Sequence, residues 1–188
     1  MSTTTAIVLI IIAIVIVILT IGLFLLWQRR RTEKLRDQFG PEYKRAVDRY
    51  GDQRKAEAEL TAREKRVRKL EIRALEPAEQ SRFAEAWKKT QARFVDQPSQ
   101  AVRDADGLVK DLMQARGYPV GDFDQRAADV SVDHPNVVTN YRAAHDIAAR
   151  NNSGNATTED LRQALVHYRS LFEELLEPTE TATRKEAA

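Results

Sequence analysis

The stretch AIVLIIIAIVIVILTIGLFLLW, residues 6–27, carries no charge, has a single hydroxyl group at Thr20, and is followed by Gln28 and three arginines. A helix of this length reaches about 33 Å, which is enough to cross a hydrocarbon core of about 30 Å. Only a helix satisfies the backbone polar groups of such a segment in lipid. The stretch therefore predicts a transmembrane helix, with residues 1–31 forming an anchor and its basic stop.

The residues that flank this stretch predict its orientation. Basic residues follow it closely, whereas none precedes it in residues 1–5. The positive-inside rule then places the C-terminal domain in the cytoplasm of a single-pass plasma-membrane protein. The opposite orientation stays open, and a cleavable signal peptide is disfavoured because its basic n-region is missing. The residues predicted to contact the lipid bilayer at the membrane interface are Trp27, Arg29, Arg30, Arg31, Lys34 and Arg36.

Charge and composition restrict the possible functions. The net charge is only +2, but residues 28–76 hold 16 basic and 10 acidic residues, whereas residues 77–188 hold 14 and 18. The half next to the predicted anchor is therefore basic and the distal half is mildly acidic. The chain has no cysteine, which excludes disulfides, thiolate metal sites and cysteine nucleophiles.

Residues 32–75 are predicted to form a charged helical stalk. Within it, residues 54–73 read as one helix with an apolar seam, which Arg63 interrupts. Acidic and basic side chains flank the seam, a pattern that helix-pairing surfaces share. Two interpretations stay open: self-association as a coiled coil, or docking of the seam on the chain's own helices. The seam residues are Ala56, Leu60, Val67 and Leu70.

Residues 76–177 are predicted to form a small helical bundle, and residues 178–188 a disordered tail. Prolines in first-turn positions mark helix starts at Pro41, Pro77, Pro98 and Pro135. Thr157 and Asp160 form a capping-box-like start for the most amphipathic helix. Strand-like alternation is missing, so the predicted fold class is all-α. An aromatic stripe of Phe83, Trp87 and Phe94 is interpreted as bundle core rather than as a nucleic-acid stacking surface.

Residues 118–133 are the least regular part of this predicted bundle. Long irregular segments in small helical domains are often functional. We therefore predict a candidate partner-docking loop there, with a loop that merely folds its apolar residues over the bundle as the alternative. The residues singled out are Tyr118, Asp122, Phe123, Asp124 and Asp133.

Other chemistry finds little support in the sequence. The histidines His134, His145 and His167 lack metal-binding spacing, and no phosphate-binding glycine loop or hydrolase triad is present. No catalytic residue, metal ligand or cofactor-binding residue is therefore predicted. A basic run could in principle contact nucleic acid, but glutamates interrupt it, so it is interpreted as a solvated helix face and no nucleic-acid partner is expected. The run comprises Arg63, Lys65, Arg66, Arg68 and Lys69.

Several distinctive strings resemble a family of uncharacterised bacterial membrane-anchored helical proteins. They are RGYPVGDF at residues 116–123, QRAAD at 125–129, SVDHP at 131–135, QFGPEY at 38–43 and TEDLR at 158–162. The resemblance covers most of residues 35–177 and implies a bacterial cell-envelope protein with no assigned activity.

The function expected from the sequence is that of a non-enzymatic, membrane-anchored interaction or scaffold module. Its partner would be another protein, or a second copy that associates through the 54–73 helix. The alternative is a membrane-tethered ligand sensor or enzyme with a site near residues 118–133, which a deep polar pocket there would favour.

Overall fold

The computed structural model describes residues 3–177, with side chains described from residue 14 onward. Within that part of the chain it contains eight α-helices and no strand, which confirms the all-helical prediction. The predicted tail, residues 178–188, lies outside the described residues. The helices are α1 (Thr3–Phe39), α2 (Pro41–Tyr50), α3 (Gln53–Val67), α4 (Pro77–Arg93), α5 (Pro98–Ala115), α6 (Phe123–Asp133), α7 (Pro135–Asn152) and α8 (Thr158–Leu176).

Local sequence signals set most helix starts. Prolines occupy the first turn of α2, α4, α5 and α7, as predicted, because a residue without an N–H loses nothing at that position. The predicted capping box of α8 is also confirmed. The Thr157 hydroxyl accepts from the Asp160 N–H at 3.1 Å, and the Asp160 carboxylate accepts from the Thr157 N–H at 2.9 Å.

The structure corrects the prediction of a transmembrane anchor. Within the described residues, no helix combines the length and the apolar character that crossing a membrane requires. The earlier part of the predicted span, residues 6–13, lies outside the residues with described side chains. On this finding, the prediction of a single-pass membrane protein is wrong.

The chain divides into two compact units between Gln38 and Phe39. In the first unit, the large apolar side chains described between Ile14 and Trp27 are exposed. The Arg31 guanidinium lies 5.7 Å from the centroid of the Trp27 ring. The membrane-interface role predicted for Trp27 and its basic neighbours depended on the span, and nothing in the structure tests it separately.

The second unit has its main hydrophobic core in the bundle of α4 to α8. Helix α8 packs along α7 and α5, while α4 covers α5 and α6 covers α7. Phe83 and Trp87 are buried in this core, and Phe94 packs against it, in agreement with the core interpretation of the aromatic stripe. The Trp87 ring stacks on Phe172 of α8 with 4.7 Å between centroids.

Helices α2 and α3 form a hairpin, residues 41–67, that packs on α6 and α7. The seam residues Ala56, Leu60 and Val67 are buried inside the chain's own second unit. The seam thus docks on the chain itself, as the alternative interpretation held. Self-association through this part of the chain stays a prediction, and it would need the opposite face of α3.

The helix predicted over residues 54–73 is shorter in the structure, because α3 ends at Val67. The chain then crosses the bundle in a non-helical strap, residues 68–76. Leu75 enters the main core, and Leu70 and Ile72 pack against it. Leu70 continues the helical spacing of the seam, but Leu70, Ile72 and Leu75 gain more burial by leaving the helix and lying on the bundle.

Residues 118–133 are also more regular than predicted, because Phe123 to Asp133 form α6. The Asp122 carboxylate caps this helix by accepting from the Gln125 N–H at 3.0 Å. Helix α6 buries Arg126 and Asp129 along with its apolar residues. Its buried polar residues break the apolar periodicity by which such a helix is recognised.

Candidate interaction surfaces

The residues of the predicted docking loop do not form one surface. Tyr118 is buried and donates from its hydroxyl to Asp133 at 2.8 Å, and burial raises the pKa of Tyr118. Asp122 is the cap of α6, and Phe123 is half-buried. Asp122 and Asp124 are exposed, and 58% of the Asp124 side-chain surface is accessible. Most of these residues therefore stabilise local structure, and their docking role stays a prediction.

Asp124 belongs to a larger group that the sequence did not reveal, the charged interface between the α2–α3 hairpin and helices α6 and α7. At its centre, Arg142 of α7 donates from Nε and Nη2 to the two carboxylate oxygens of Glu42, each at 3.1 Å. Arg63 of α3 lies 3.7 Å from the same carboxylate. All three side chains are buried. Bidentate geometry of this kind fixes the relative orientation of the two partners.

Two further ion pairs complete the charged interface. Arg49 of α2 lies 3.4 Å from Asp124 at the exposed edge. Arg66 of α3 donates to Asp129 at 2.9 Å, and this carboxylate is fully buried. Gln125 also donates to Asp129. The charged interface thus consists of Glu42, Arg49, Arg63 and Arg66 from the hairpin and Asp124, Asp129 and Arg142 from the bundle.

This interface changes the interpretation of the basic run at residues 63–69. Arg63 is buried and Arg66 is paired with Asp129, so only part of the run is a solvated face. Arg63, an arginine in an apolar seam, was the one sequence signal of a buried carboxylate partner. Nothing in the sequence identifies Glu42, which lies on another helix, as that partner.

The three histidines lie apart and have separate surroundings. His134 is buried, with Nδ1 3.0 Å from the Glu174 carboxylate, and His167 Nδ1 lies 3.1 Å from the Asn140 side-chain oxygen. The His145 ring stacks on Phe123 with 3.6 Å between centroids. Among the described residues, no three metal-binding side chains are grouped as a metal ion would require.

His145 is expected to make folding stability depend on pH. Burial lowers the pKa of His145 below its ordinary value of 6.5, so protonation favours the unfolded chain. The stability that neutral His145 contributes is fully present above pH 6.5 and is lost as the pH falls below that value toward the lower pKa of the folded state. The charged groups around it act in both directions: Asp106 and Asp146 raise its pKa, and Arg126 and Lys110 lower it.

Urea unfolding of the wild type and of His145→Gln, measured between pH 7.5 and 5, checks this prediction. The variant should be less stable throughout because it loses the stacking on Phe123. Its stability should nevertheless vary less with pH than that of the wild type. If the free energy of unfolding varied with pH to the same extent in both proteins, His145 would not be the source of the pH dependence.

A surface groove lies between α4 and α5, away from residues 118–133. It has a volume of about 480 Å³, within the range of about 300–1,000 Å³ that binding clefts occupy. Phe83 and Leu108 form part of an apolar floor, and Arg82 and Asp111 supply opposite charges at the rim. The Arg82 guanidinium lies 5.1 Å from the Phe83 ring centroid. The α4–α5 groove is lined by Arg82, Phe83, Ala86, Leu108, Asp111, Gln114 and Ala115.

No protein-family model matches the chain, and no match to it was found among curated proteins or among solved structures. The resemblance drawn from the sequence strings stays a prediction.

Proposed function

We propose that this chain is a non-enzymatic helical interaction module that binds an amphipathic helix of a partner protein in the α4–α5 groove. The observation that supports the proposal is the groove itself, an open depression between two helices with an apolar floor and a polar rim. Helix-in-groove recognition uses this combination, because apolar anchors supply affinity and rim charges select orientation.

The lining residues define the chemistry of the partner. An apolar anchor side chain would contact Phe83 and Leu108 on the floor. An acidic residue on the α4 side would face Arg82, and a basic residue on the α5 side would face Asp111. The partner is therefore an amphipathic helix whose apolar stripe is flanked by opposite charges on its two sides.

The groove is better suited to recognition than to catalysis. Its charged and amide groups, Arg82, Asp111 and Gln114, are all exposed at the rim. A general acid or base is usually adjusted by burial and by a close charge partner. Arg82 and Asp111 can instead set the direction in which a helix lies, which is a binding role.

Selection of helical peptides against the full-length chain tests the proposal. Peptides that bind should carry an apolar stripe with the charge order described above. Ala86→Trp, which fills the groove, should weaken their binding at least about 30-fold, the effect of losing roughly 2 kcal/mol. Ala92→Trp is the matched control, because Ala92 is an exposed alanine on the same helix, and it should leave binding unchanged.

Charge reversal at the rim provides the second half of this test. Arg82→Glu and Asp111→Lys should each weaken the selected peptides several-fold, as exposed ion pairs do. The double variant should prefer peptides with the charges exchanged. Selected peptides that bind the wild type and Ala86→Trp equally well would overturn the proposal. Saturable binding of a small molecule at residues 118–133 would favour the ligand-sensor alternative.

A further inference from the structure

Most buried apolar residues of the second unit belong to one main core, but those of the α2–α3 hairpin do not. The main core is built by residues of α4 to α8, together with Leu75 of the strap and Tyr118 of the segment between α5 and α6. The buried apolar residues of the α2–α3 hairpin are not members of this core. They are Tyr43, Ala46, Ala56, Leu60 and Val67. Helices α2 and α3 pack on each other more extensively than either of them packs on the bundle.

Charged side chains hold the hairpin against the bundle. Three ion pairs cross the charged interface, and they join Arg142 to Glu42, Arg49 to Asp124, and Arg66 to Asp129. The Glu42 and Asp129 carboxylates are both buried. In contrast, the contacts between α5 and α8 lie within the main apolar core.

An interface held by ion pairs opens more easily than an apolar interface. Removing both charges of a buried pair from water costs nearly as much as their attraction returns. When an ion-paired interface opens, each charged group recovers its hydration. When an apolar interface opens, its surface is exposed to water at a cost in free energy. The charges therefore fix the position of the hairpin closely while adding little net stability.

The strap limits where such an opening can end. Its Arg73 N–H donates to the Arg116 carbonyl at 3.0 Å, and Leu75 is buried in the main core. The chain can therefore pivot in the turns between Val67 and Leu70 without disturbing α4. This short segment contains the two turns that follow α3, in which Lys69 and Leu70 donate to the carbonyls of Arg66 and Val67.

We propose that the α2–α3 hairpin is a latch that opens as a unit while α4 to α8 stay folded, with the charged interface as its closure. Opening uncovers Asp129 and Arg142 on the bundle and Glu42 and Arg66 on the hairpin. The chain thus has two states with different exposed faces. This inference goes beyond the proposed function, because the α4–α5 groove is present in both states.

Hydrogen–deuterium exchange of the full-length chain tests the latch. In the wild type, protected amides of α2 and α3 should exchange at least about tenfold faster than those of α5 and α8, since they need only the partial opening. Arg142→Ala leaves the Glu42 carboxylate without its main partner. It should speed exchange in α2 and α3 by a further 30-fold or so, with α5 and α8 nearly unchanged.

Two further variants test whether the change in exchange is specific to the charged interface. Arg150→Ala is the matched control, because Arg150 lies on the same helix and forms an exposed pair with Asp160 at 3.3 Å. It should not change exchange in the hairpin. Arg49→Ala removes only the exposed edge pair and should speed hairpin exchange a few-fold, so it serves if Arg142→Ala does not fold.

The latch and the groove can be tested independently of each other. Ala86→Trp should leave hairpin exchange unchanged, and Arg49→Ala should leave binding of the selected peptides unchanged. If α2 and α3 exchange at the same rate as α8 in the wild type, and respond equally to denaturant, the hairpin is part of one cooperative unit. That result, or equal acceleration of all helices by Arg142→Ala, would overturn the latch.

Discussion

Replacing Gly117 with alanine is expected to lower the free energy of unfolding by about 3 kcal/mol or more. Gly117 has φ +92°, a backbone conformation that disfavours a side chain by roughly 1–2 kcal/mol. A Cβ atom there would also lie only 2.4 Å from the Glu71 carbonyl oxygen and 3.2 Å from its carbon. These are backbone atoms of the strap, so the clash cannot be relieved by rotating a side chain.

The substitution should also weaken the contacts that the strap makes with the bundle. Moving Glu71 away from residue 117 strains the hydrogen bond from the Arg73 N–H to the Arg116 carbonyl, which is 3.0 Å long. It also pulls on Ile72 and Leu75, which pack in or against the main core. Urea unfolding followed by helical circular dichroism measures the loss.

Gly107→Ala is the matched control for this prediction. Gly107 lies inside α5, and a Cβ there would meet nothing within 4 Å. Alanine is the better helix former by roughly 1 kcal/mol, so this variant should be slightly more stable than the wild type. If both glycine variants unfolded at the same urea concentration, the close approach of the strap to Gly117 would not affect the free energy of unfolding.

Local signals in the sequence were sufficient for the helices whose ends are set by capping chemistry. Pro77 and Thr157 mark helix starts through interactions within the first turn, so neighbouring residues are enough to recognise them. The sequence does not predict the strap, because Leu70 keeps the helical spacing of α3. Only the competing burial of Leu70 and Leu75 on the bundle ends the helix at Val67.

The charged interface and the groove depend on contacts far apart in the sequence. Glu42 and Arg142 are 100 positions apart, and nothing in their local surroundings marks them as partners. Arg66 likewise pairs with Asp129, which lies 63 positions further along the chain on another helix. The groove exists only because α4 lies against α5. Spacing along one helix cannot predict which helix lies beside it.

Phe172→Ala is expected to lower the free energy of unfolding by about 3–5 kcal/mol, as large-to-small changes in a core do. Phe172 is 1% exposed, and its ring stacks on Trp87 at 4.7 Å and 17°. Such an aromatic pair adds about 0.5–1.5 kcal/mol beyond the buried area. Because the pair connects α8 to α4, the α4–α5 groove should also lose order.

Fluorescence of Trp87 follows this change directly. The chain has two tryptophans, and Trp27 is 56% exposed; unfolding is therefore measured in a Trp27→Phe background, in which only Trp87 reports. Phe172→Ala should shift Trp87 emission to longer wavelength and move the urea midpoint down. It should also weaken the groove-binding peptides under native conditions.

Val166→Ala is the control on the same helix. Val166 is 48% exposed on α8, so removing its methyl groups should change stability by no more than about 0.5 kcal/mol. If Phe172→Ala behaved like Val166→Ala, α8 would not hold α4 in place through the aromatic stack. If it lost stability but kept full peptide binding, the groove would depend on α4 and α5 alone, independently of their support by α8.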